Sequence, residues 1–324
     1  MVARADLPPA LRLEGPLPIG PADIAPMNVL FSETFTERYR RDGLVGVRVP
    51  PLNPAIWQYA VADAGEGAML WRDARGAIAA FNIAHRSGIE GWMGPLAVRD
   101  DCQGAGQGKN IVTAGLELLK RSGCEVIGLE TMPRTMDNIG FYSGLGFTPA
   151  RLTVTLTADA VASPRPPRLL SSLRGAAHDS AVLECAQLTR EMLPGIDYTR
   201  EIELTHELAL GDTLLMYDGN SLAGFAVCHA APLVEGRSRE ELRVLKLCAR
   251  DDSIFDLMFI QLADLARRSQ TARVAIRLQG DYGTLYRRLV GYGARVRWTD
   301  LRMVLAGYEE RPPKFGIALS NWEI

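Results

Sequence analysis

The sequence has few of the residues that build metal centres and disulfide frameworks. It contains five cysteines and four histidines among 324 residues. The cysteines are odd in number and scattered, and they form no C-x-x-C pair. We therefore expect reduced, mostly buried thiols and no structural metal. The cysteines are Cys102, Cys124, Cys185, Cys228 and Cys248.

A charge excess of one sign and long apolar runs are also lacking. The formal net charge is -2, and no polybasic run lies beside an apolar stretch, as a nucleic-acid or membrane-surface site would require. The sequence has no run of about 18 apolar residues, and its first residues lack the apolar core of a signal peptide. We expect a cytoplasmic protein that binds neither nucleic acid nor membrane.

The length predicts two domains of roughly 150 residues each. The hydrophobic content of 47% and the charged content of 23% are ordinary for globular proteins. Three prolines between Ala162 and Arg168 cannot continue a helix or an interior strand, so this segment is the predicted linker. We predict domains over 1–160 and 171–310, a linker over 161–170, and a C-terminal arm over 311–324.

The hydrophobic pattern predicts the same order of elements in both halves, which suggests an internal duplication. In the first half we predict a helix after Asp23, strands at 68–71, 78–84 and 92–98, a helix at 107–122, a strand at 126–130, a helix at 135–145 and a strand at 151–156. In the second half we predict helices at 180–192 and 199–209, strands at 213–217, 222–229 and 241–248, a helix at 253–268, a strand at 273–278 and a helix at 283–290.

Three glycines, Gly104, Gly106 and Gly108, lie between an apolar strand and the start of a helix. Glycine lets the backbone approach a ligand, and the free amides and dipole of a helix start favour an anion such as a phosphate or pyrophosphate. The alternative is a tight turn without a ligand. A P-loop is excluded because Lys109 is followed by Asn110, and a Rossmann fingerprint is disfavoured because several meander strands precede the turn.

Residues 96–109 resemble the pyrophosphate-binding signature Q/R-x-x-G-x-G/A of the GNAT superfamily of N-acetyltransferases. Gln103, Gly106 and Gly108 fill this signature. The resemblance implies that backbone amides of the turn bind the pyrophosphate of coenzyme A and that the preceding strand pairs with its pantetheine arm. The cofactor-binding residues that it implies are Leu96, Ala97, Val98, Gln103, Gly104, Ala105, Gly106, Gln107, Gly108, Lys109, Asn138 and Tyr142.

The stretch from Asn138 to Phe147 resembles a second element of the same family, which ends in Y-x-x-x-G-F. By this resemblance Tyr142 is the proton donor to the leaving thiolate, although it could instead be a core aromatic. Asn138 contacts the cofactor or lies on the helix surface. An attacking amine must also lose a proton. The candidate bases are Glu130 and Glu90, with His85 third, and each could instead be structural.

The second half lacks the glycine turn. The matching stretch 241–253 contains no glycine, and Asp251 and Asp252 place negative charge where a pyrophosphate would bind. Tyr286 lies near the position of Tyr142. We therefore predict a degenerate copy that does not bind the cofactor. The segment 314–324 is apolar enough to pack against a sheet, and a partner-binding tail is the alternative.

Together with the element order, the resemblance to the GNAT superfamily implies an α+β fold, an α/β sandwich of two tandem GNAT-like domains, each with a mixed, mostly antiparallel twisted sheet flanked by helices. The predicted function is N-acyl transfer from an acyl-CoA, with acetyl-CoA as donor and a small-molecule or peptide amine as acceptor, by direct attack on the thioester. The alternatives are an O- or S-acyltransferase, a longer acyl donor, and a non-catalytic coenzyme A sensor or structural protein. We expect a monomer or homodimer.

Overall fold

The computed structural model describes residues 12–323, and the two halves of this range repeat one order of elements. The first half contains β1 (Glu14–Pro18), α1 (Ile24–Arg41), α2 (Pro54–Ala64), β2 (Ala68–Arg72), β3 (Ile78–Ser87), β4 (Glu90–Val98), α3 (Gln107–Arg121), β5 (Val126–Thr131), α4 (Met136–Ser143) and β6 (Phe147–Asp159). The second half contains β7 (Arg168–Leu169), α5 (Ala176–Met192), α6 (Thr199–Glu207), β8 (Gly211–Asp218), β9 (Ser221–His229), β10 (Glu241–Ala249), α7 (Asp252–Arg268), β11 (Arg273–Gln279), α8 (Gly283–Gly291), β12 (Arg295–Leu305) and β13 (Ile317–Ser320).

Local sequence signals explain the helices that border the site. Helix α3 is amphipathic, and it buries Ile111, Val112 and Leu119 while its charged residues face outward. Helix α2, which the periodicity analysis does not predict, begins with an Asn-Pro pair. The Asn53 side chain accepts a hydrogen bond of 3.0 Å from the Ala55 amide, and Pro54 occupies the first turn.

The strands of the described residues form one sheet of thirteen strands, in the order β1-β2-β3-β4-β5-β12-β6-β11-β10-β9-β8-β7, with β13 on β10. Only β4 with β5 and β10 with β11 pair in parallel, and the other pairs are antiparallel. The predicted mixed, mostly antiparallel sheet flanked by helices is thus confirmed.

The two halves exchange a strand, which the sequence does not predict. Strand β12, from the second half, lies between β5 and β6, so that Leu301 pairs with both Thr131 and Leu152. Strand β6, from the first half, pairs in turn with β11. Residues 160–167 between β6 and β7 form neither helix nor strand. The linker over 161–170 and the domain bounds remain predictions, but strands from both sides of that linker build each half of the sheet.

Helices cover both faces of the sheet, and the core therefore lies in layers above and below it. In the first half, α3 and α4 cover one face and α1 and α2 the other. Leu204, Leu210 and Leu245 of the second half join the core under α1 and α2. The halves therefore share buried apolar surface as well as strands.

Candidate functional site

Strands β4 and β5 separate in the middle of the sheet and open a cleft. They pair in parallel from Glu90 with Val126 to Met93 with Leu129, and the recorded pairing ends there. Beyond Met93, strand β4 continues on β3 alone, and its other edge faces a cleft of about 800 Å³. Leu96, Ala97 and Val98 line this cleft. The edge of β4 can therefore pair with an extended ligand through main-chain hydrogen bonds.

The glycine turn closes one end of the cleft. Gly104 and Gly106 both have φ of +77°, a left-handed conformation that favours glycine. A Cβ on either residue would meet nothing within 4 Å. Helix α3 follows with Gly106 as its N-cap, and the N–H groups of a first helical turn have no acceptor within the helix. Together with the helix dipole they form a site for an anion.

Polar side chains hold this turn in place. The Gln103 amide nitrogen donates to the Val98 carbonyl at 2.7 Å and to Asp100 Oδ1 at 2.9 Å. Arg41 of α1 donates to Gln103 Oε1 at 3.1 Å and lies 3.2 Å from Asp100. Arg41 and Lys109 both line the cleft, and Arg41 is a cation beside the turn that the sequence analysis does not single out.

The remaining predicted cofactor residues divide between the cleft and the core. Gln103, Gly104, Gly106, Gly108 and Lys109 line the cleft. Ala105 and Gln107 are not among its lining residues, and the Gln107 side chain is buried. Gln107 is the first residue of α3, and the sequence alone does not determine which way the start of a helix faces.

Tyr142 and Asn138, one helical turn apart on α4, both line the cleft. The Tyr142 ring packs against Phe147, with centroids 5.9 Å apart. Burial raises the pKa of Tyr142 to about 12, so its hydroxyl stays protonated at neutral pH and can donate a proton. Asn138 Nδ2 donates to Thr131 Oγ1 at 3.4 Å, at the end of β5.

Glu130 lines the cleft but is neutralised by two arginines. Its carboxylate accepts from Arg277 at 2.5 Å, from Arg302 at 2.9 Å and from Thr153 at 2.5 Å. Burial alone would raise the pKa of Glu130, but the charges of Arg277 and Arg302 and the hydrogen bonds lower it to about 2. A carboxylate with so low a pKa is a weak general base. The ion pairs therefore favour a role for Glu130 in stabilising the fold instead of a role as general base.

Glu90 of β4 and His85 of β3 are buried and do not line the cleft. Glu90 is 3% exposed; it accepts a hydrogen bond from Ser320 at 2.6 Å and lies 3.7 Å from the Lys246 ammonium. His85 is fully buried between Asp63 and the Gly94 carbonyl. We correct the list of candidate bases accordingly, because neither side chain can reach a substrate in the cleft.

Two carboxylates that were not predicted from the sequence, those of Asp300 and Glu323, line the same cleft as Glu130. Asp300 comes from the exchanged strand β12 and Glu323 from the C-terminal segment. Arg277 donates to Asp300 at 3.0 Å and to Glu323 at 2.5 Å. The only sequence signal was the alternating pattern of residues 295–305, which indicates a strand but not which sheet position it takes.

Residues 33–147 match the family model described as acetyltransferase (GNAT) family. The resemblance to the GNAT acetyltransferase family that residues 96–109 and 138–147 predict is thereby confirmed. The matched range contains the β4 edge, the glycine turn and Tyr142. The chain is accordingly an acyltransferase, with an acyl-CoA as cosubstrate.

Solved structures share the fold over nearly the whole chain. A proposed acetyltransferase from Pyrococcus horikoshii has a TM-score of 0.66 at 13% identity, with 94% of each chain covered. A tandem GNAT protein from the clavulanic acid biosynthesis pathway has a TM-score of 0.57 at 11% identity, covering 92% of this chain and 100% of that one. N-myristoyltransferase of Saccharomyces cerevisiae, with myristoyl-CoA bound, has a TM-score of 0.63 at 10% identity, covering 93% and 80%. None of the curated proteins compared with this chain matches it in sequence.

The second half has the same split between parallel strands as the first half, but its own C-terminal segment fills the gap. Strands β10 and β11 pair only from Glu241 to Arg243. Beyond that point β13 lies against β10, with Lys246 opposite Ser320 and Ala249 opposite Ile317. The C-terminal segment therefore occupies the edge that corresponds to the open edge of β4.

The helix start in the second half is also occupied. The Asp251 carboxylate accepts a hydrogen bond of 2.9 Å from the Ile254 amide and caps α7. The Asp251 carboxylate occupies the position that a bound anion would take, and its charge repels another anion. A bound anion is therefore disfavoured at the start of α7.

Three features of the described residues bear on other classes of function and on the state of the thiols. Within 12–323 no helix combines the length and the apolar character needed to cross a bilayer. The same range has no group of three or more His, Cys, Asp or Glu side chains gathered as metal ligands. The five cysteines are buried and form no disulfides.

Proposed function

We propose that this chain transfers an acetyl group from acetyl-CoA to the amine of a small molecule or peptide, by direct attack of the amine on the thioester. One observation carries the proposal. The first half keeps an open β4 edge beside an unblocked glycine turn, whereas the second half fills the matching edge with β13 and the matching helix start with Asp251. One acyl-CoA site per chain is the expected result.

The residues of the cleft fit the parts of an acyl-CoA. The turn at Gly104 and Gly106 and the start of α3 suit the pyrophosphate. The edge from Leu96 to Val98 suits the pantetheine arm, which carries amide groups able to pair with a strand. Tyr142, whose pKa burial raises to about 12, supplies a proton to the thiolate as the C–S bond breaks.

The test is turnover with acetyl-CoA and a panel of amines, followed by the release of free thiol. Amine-dependent thiol release with an N-acetylated product supports the proposal. Transfer to an alcohol or thiol alone supports the O- or S-acyltransferase alternative. Tight binding of coenzyme A without turnover on any acceptor supports the sensor alternative and refutes the proposal.

A longer acyl donor is a second candidate, because the cleft also has an apolar lining. Phe31 of α1, Leu52 and Val234 belong to this lining, and the fold is shared with an N-myristoyltransferase that binds myristoyl-CoA. A series of acyl-CoA chains from two to fourteen carbons distinguishes the donors. We propose acetyl-CoA, and a kcat/KM that rises steadily with chain length would refute that choice.

We also propose a cytoplasmic location, since five buried, unpaired thiols suit a reducing compartment. The oligomeric state proposed is a monomer or homodimer, which light scattering distinguishes.

A further inference from the structure

The end of the cleft away from the glycine turn is acidic, and two of its carboxylates come from the second half of the chain. We propose that this end receives the acceptor as a cationic amine without an anionic group of its own, and that Asp300 takes the proton from the ammonium before attack. The inference rests on the proposed function and names its acceptor class and its base.

The first support is the charge balance around Arg277. This buried guanidinium contacts three carboxylates, those of Glu130 at 2.5 Å, Glu323 at 2.5 Å and Asp300 at 3.0 Å. Arg302 binds Glu130 from the other side at 2.9 Å. Arg302 also binds Glu310 at 2.7 Å, and Arg243 is a further cation that interacts with Glu323. Three guanidinium groups therefore face four carboxylates, those of Glu130, Asp300, Glu310 and Glu323, and the cleft end attracts a further cation.

The second support is that the opposite end has the opposite charge. Arg41, Lys109 and the start of α3 lie beside the glycine turn. A donor with phosphates is drawn to that end, and an ammonium is drawn to the acidic end. An acceptor that carries a carboxylate close to its amine would meet the same repulsion that the phosphates do.

The third support is an aromatic wall beside Asp300. The rings of Tyr39 and Trp298 stack with centroids 6.3 Å apart and an angle of 30° between planes. Trp298 Nε1 donates to Asp300 Oδ1 at 3.2 Å, which fixes the ring and the carboxylate together. Such a wall suits the carbon body of an amine and the ammonium itself, through cation–π contact.

Asp300 is better placed than its neighbours to accept a proton. Both Glu130 oxygens are bound by arginines, and the Glu323 side chain is 58% exposed. Asp300 has 11% of its side chain exposed and lines the cleft. Burial, with the charges of Glu323 and Glu130 and against that of Arg277, raises the pKa of Asp300 to about 7. Tyr39 of α1 faces both Asp300 and Glu323, and Arg243 of β10 faces Glu323.

The proposed step conserves protons and electrons. The ammonium gives one proton to the Asp300 carboxylate and becomes a neutral amine. The nitrogen lone pair forms the C–N bond at the thioester carbonyl, and the electrons of the C–S bond leave on sulfur. The thiolate takes the Tyr142 proton, the tyrosinate regains a proton from the acylated nitrogen, and Asp300 releases its proton to water.

The experiment compares Asp300→Asn, Glu323→Gln and the control Asp281→Asn, which changes an exposed carboxylate outside the cleft. Acetyl-CoA affinity is measured by calorimetry. Turnover is measured with phenethylamine and hexylamine, and with glycine and β-alanine as carboxylate-bearing amines. For the wild type we expect at least tenfold higher kcat/KM with the first two amines, and a rise of kcat/KM as the pH increases through about 7, where Asp300 ionises.

In Asp300→Asn we expect kcat/KM to fall by about a hundredfold or more and its rise with pH near 7 to disappear. The Kd for acetyl-CoA should change less than about threefold. Glu323→Gln should raise the KM of the cationic amines with little change in kcat, and it carries the test if Asp300→Asn does not fold. Absence of acetyl-CoA binding in the wild type would refute the proposed function itself. Binding with preferred turnover of glycine, or with full activity in Asp300→Asn, would overturn this inference alone.

Discussion

Replacing Glu130 by glutamine should weaken the fold and leave the chemical step nearly intact. Ion pairs with Arg277 and Arg302 lower the pKa of Glu130 from its ordinary 4.5 to about 2, against the opposing effect of burial. That difference corresponds to about 3 kcal/mol of stability. Glu130→Gln keeps the shape but removes the charge, and it leaves two buried guanidinium groups short of a partner. We expect a melting midpoint lower by roughly 5–10 °C.

The pH dependence of this loss follows from the lowered pKa. Because the folded state holds Glu130 ionised more strongly than the unfolded chain does, its contribution is present above pH 4.5 and disappears as the pH falls toward about 2. The wild type and Glu130→Gln should therefore converge in stability as the pH is lowered from about 5 to about 3. Thermal unfolding followed by circular dichroism across this range measures the difference.

The matched control is Glu125→Gln. Glu125 forms an ion pair with Arg311 at 3.1 Å in which both side chains are more than half exposed, and such pairs contribute less than about 1 kcal/mol. Removal of a general base lowers turnover by roughly a hundredfold. Folded Glu130→Gln should lose much less turnover than that. An unchanged melting midpoint together with a hundredfold loss of kcat would refute the structural role and restore Glu130 as the base.

Two further predictions concern the proton donor Tyr142 and the packing of the C-terminal segment. Tyr142→Phe should lower kcat in the thiol-release assay by about a hundredfold or more, since it removes the proton donor, and should leave the acetyl-CoA affinity unchanged. The matching second-half variant, Tyr286→Phe, should keep full turnover in the same assay. Equal activity of the two variants would remove Tyr142 from the mechanism. Trp322→Ala should lower the free energy of unfolding in urea by about 3–5 kcal/mol. The reason is that Trp322 is 2% exposed and its ring lies 3.8 Å from the Arg302 guanidinium. A loss below about 1 kcal/mol would contradict the packing of the C-terminal segment.

The sequence predicted those parts of the fold that local patterns determine. The amphipathic stretch of α3, the glycines before it and the alternating meander strands each depend on neighbours a few residues away. The order of elements and the position of the cleft followed from them. Helix α2 has no amphipathic periodicity, because it is apolar around most of its circumference, and its sequence signal is the Asn-Pro pair at 53–54.

The rest depended on partners far away in the chain. Glu130 has the same sequence environment whether it is a base or half of an ion pair, and its arginines lie 147 and 172 residues further along. Asp300 reaches the cleft only because β12 crosses into the first half of the sheet. Strand exchange changes no local pattern, so neither its occurrence nor the acidic cleft end could be predicted from one sequence.

The most direct test of the central claim is calorimetric titration of coenzyme A into three proteins: the wild type, Gly106→Glu and Ser253→Glu. The two variants place the same carboxylate beside the start of α3 and within the first turn of α7, respectively. We expect one site per chain in the wild type, the same site in Ser253→Glu, and no measurable binding in Gly106→Glu. Binding that survives in Gly106→Glu, or that is lost in Ser253→Glu, would contradict a cofactor site formed by the glycine turn of the first half.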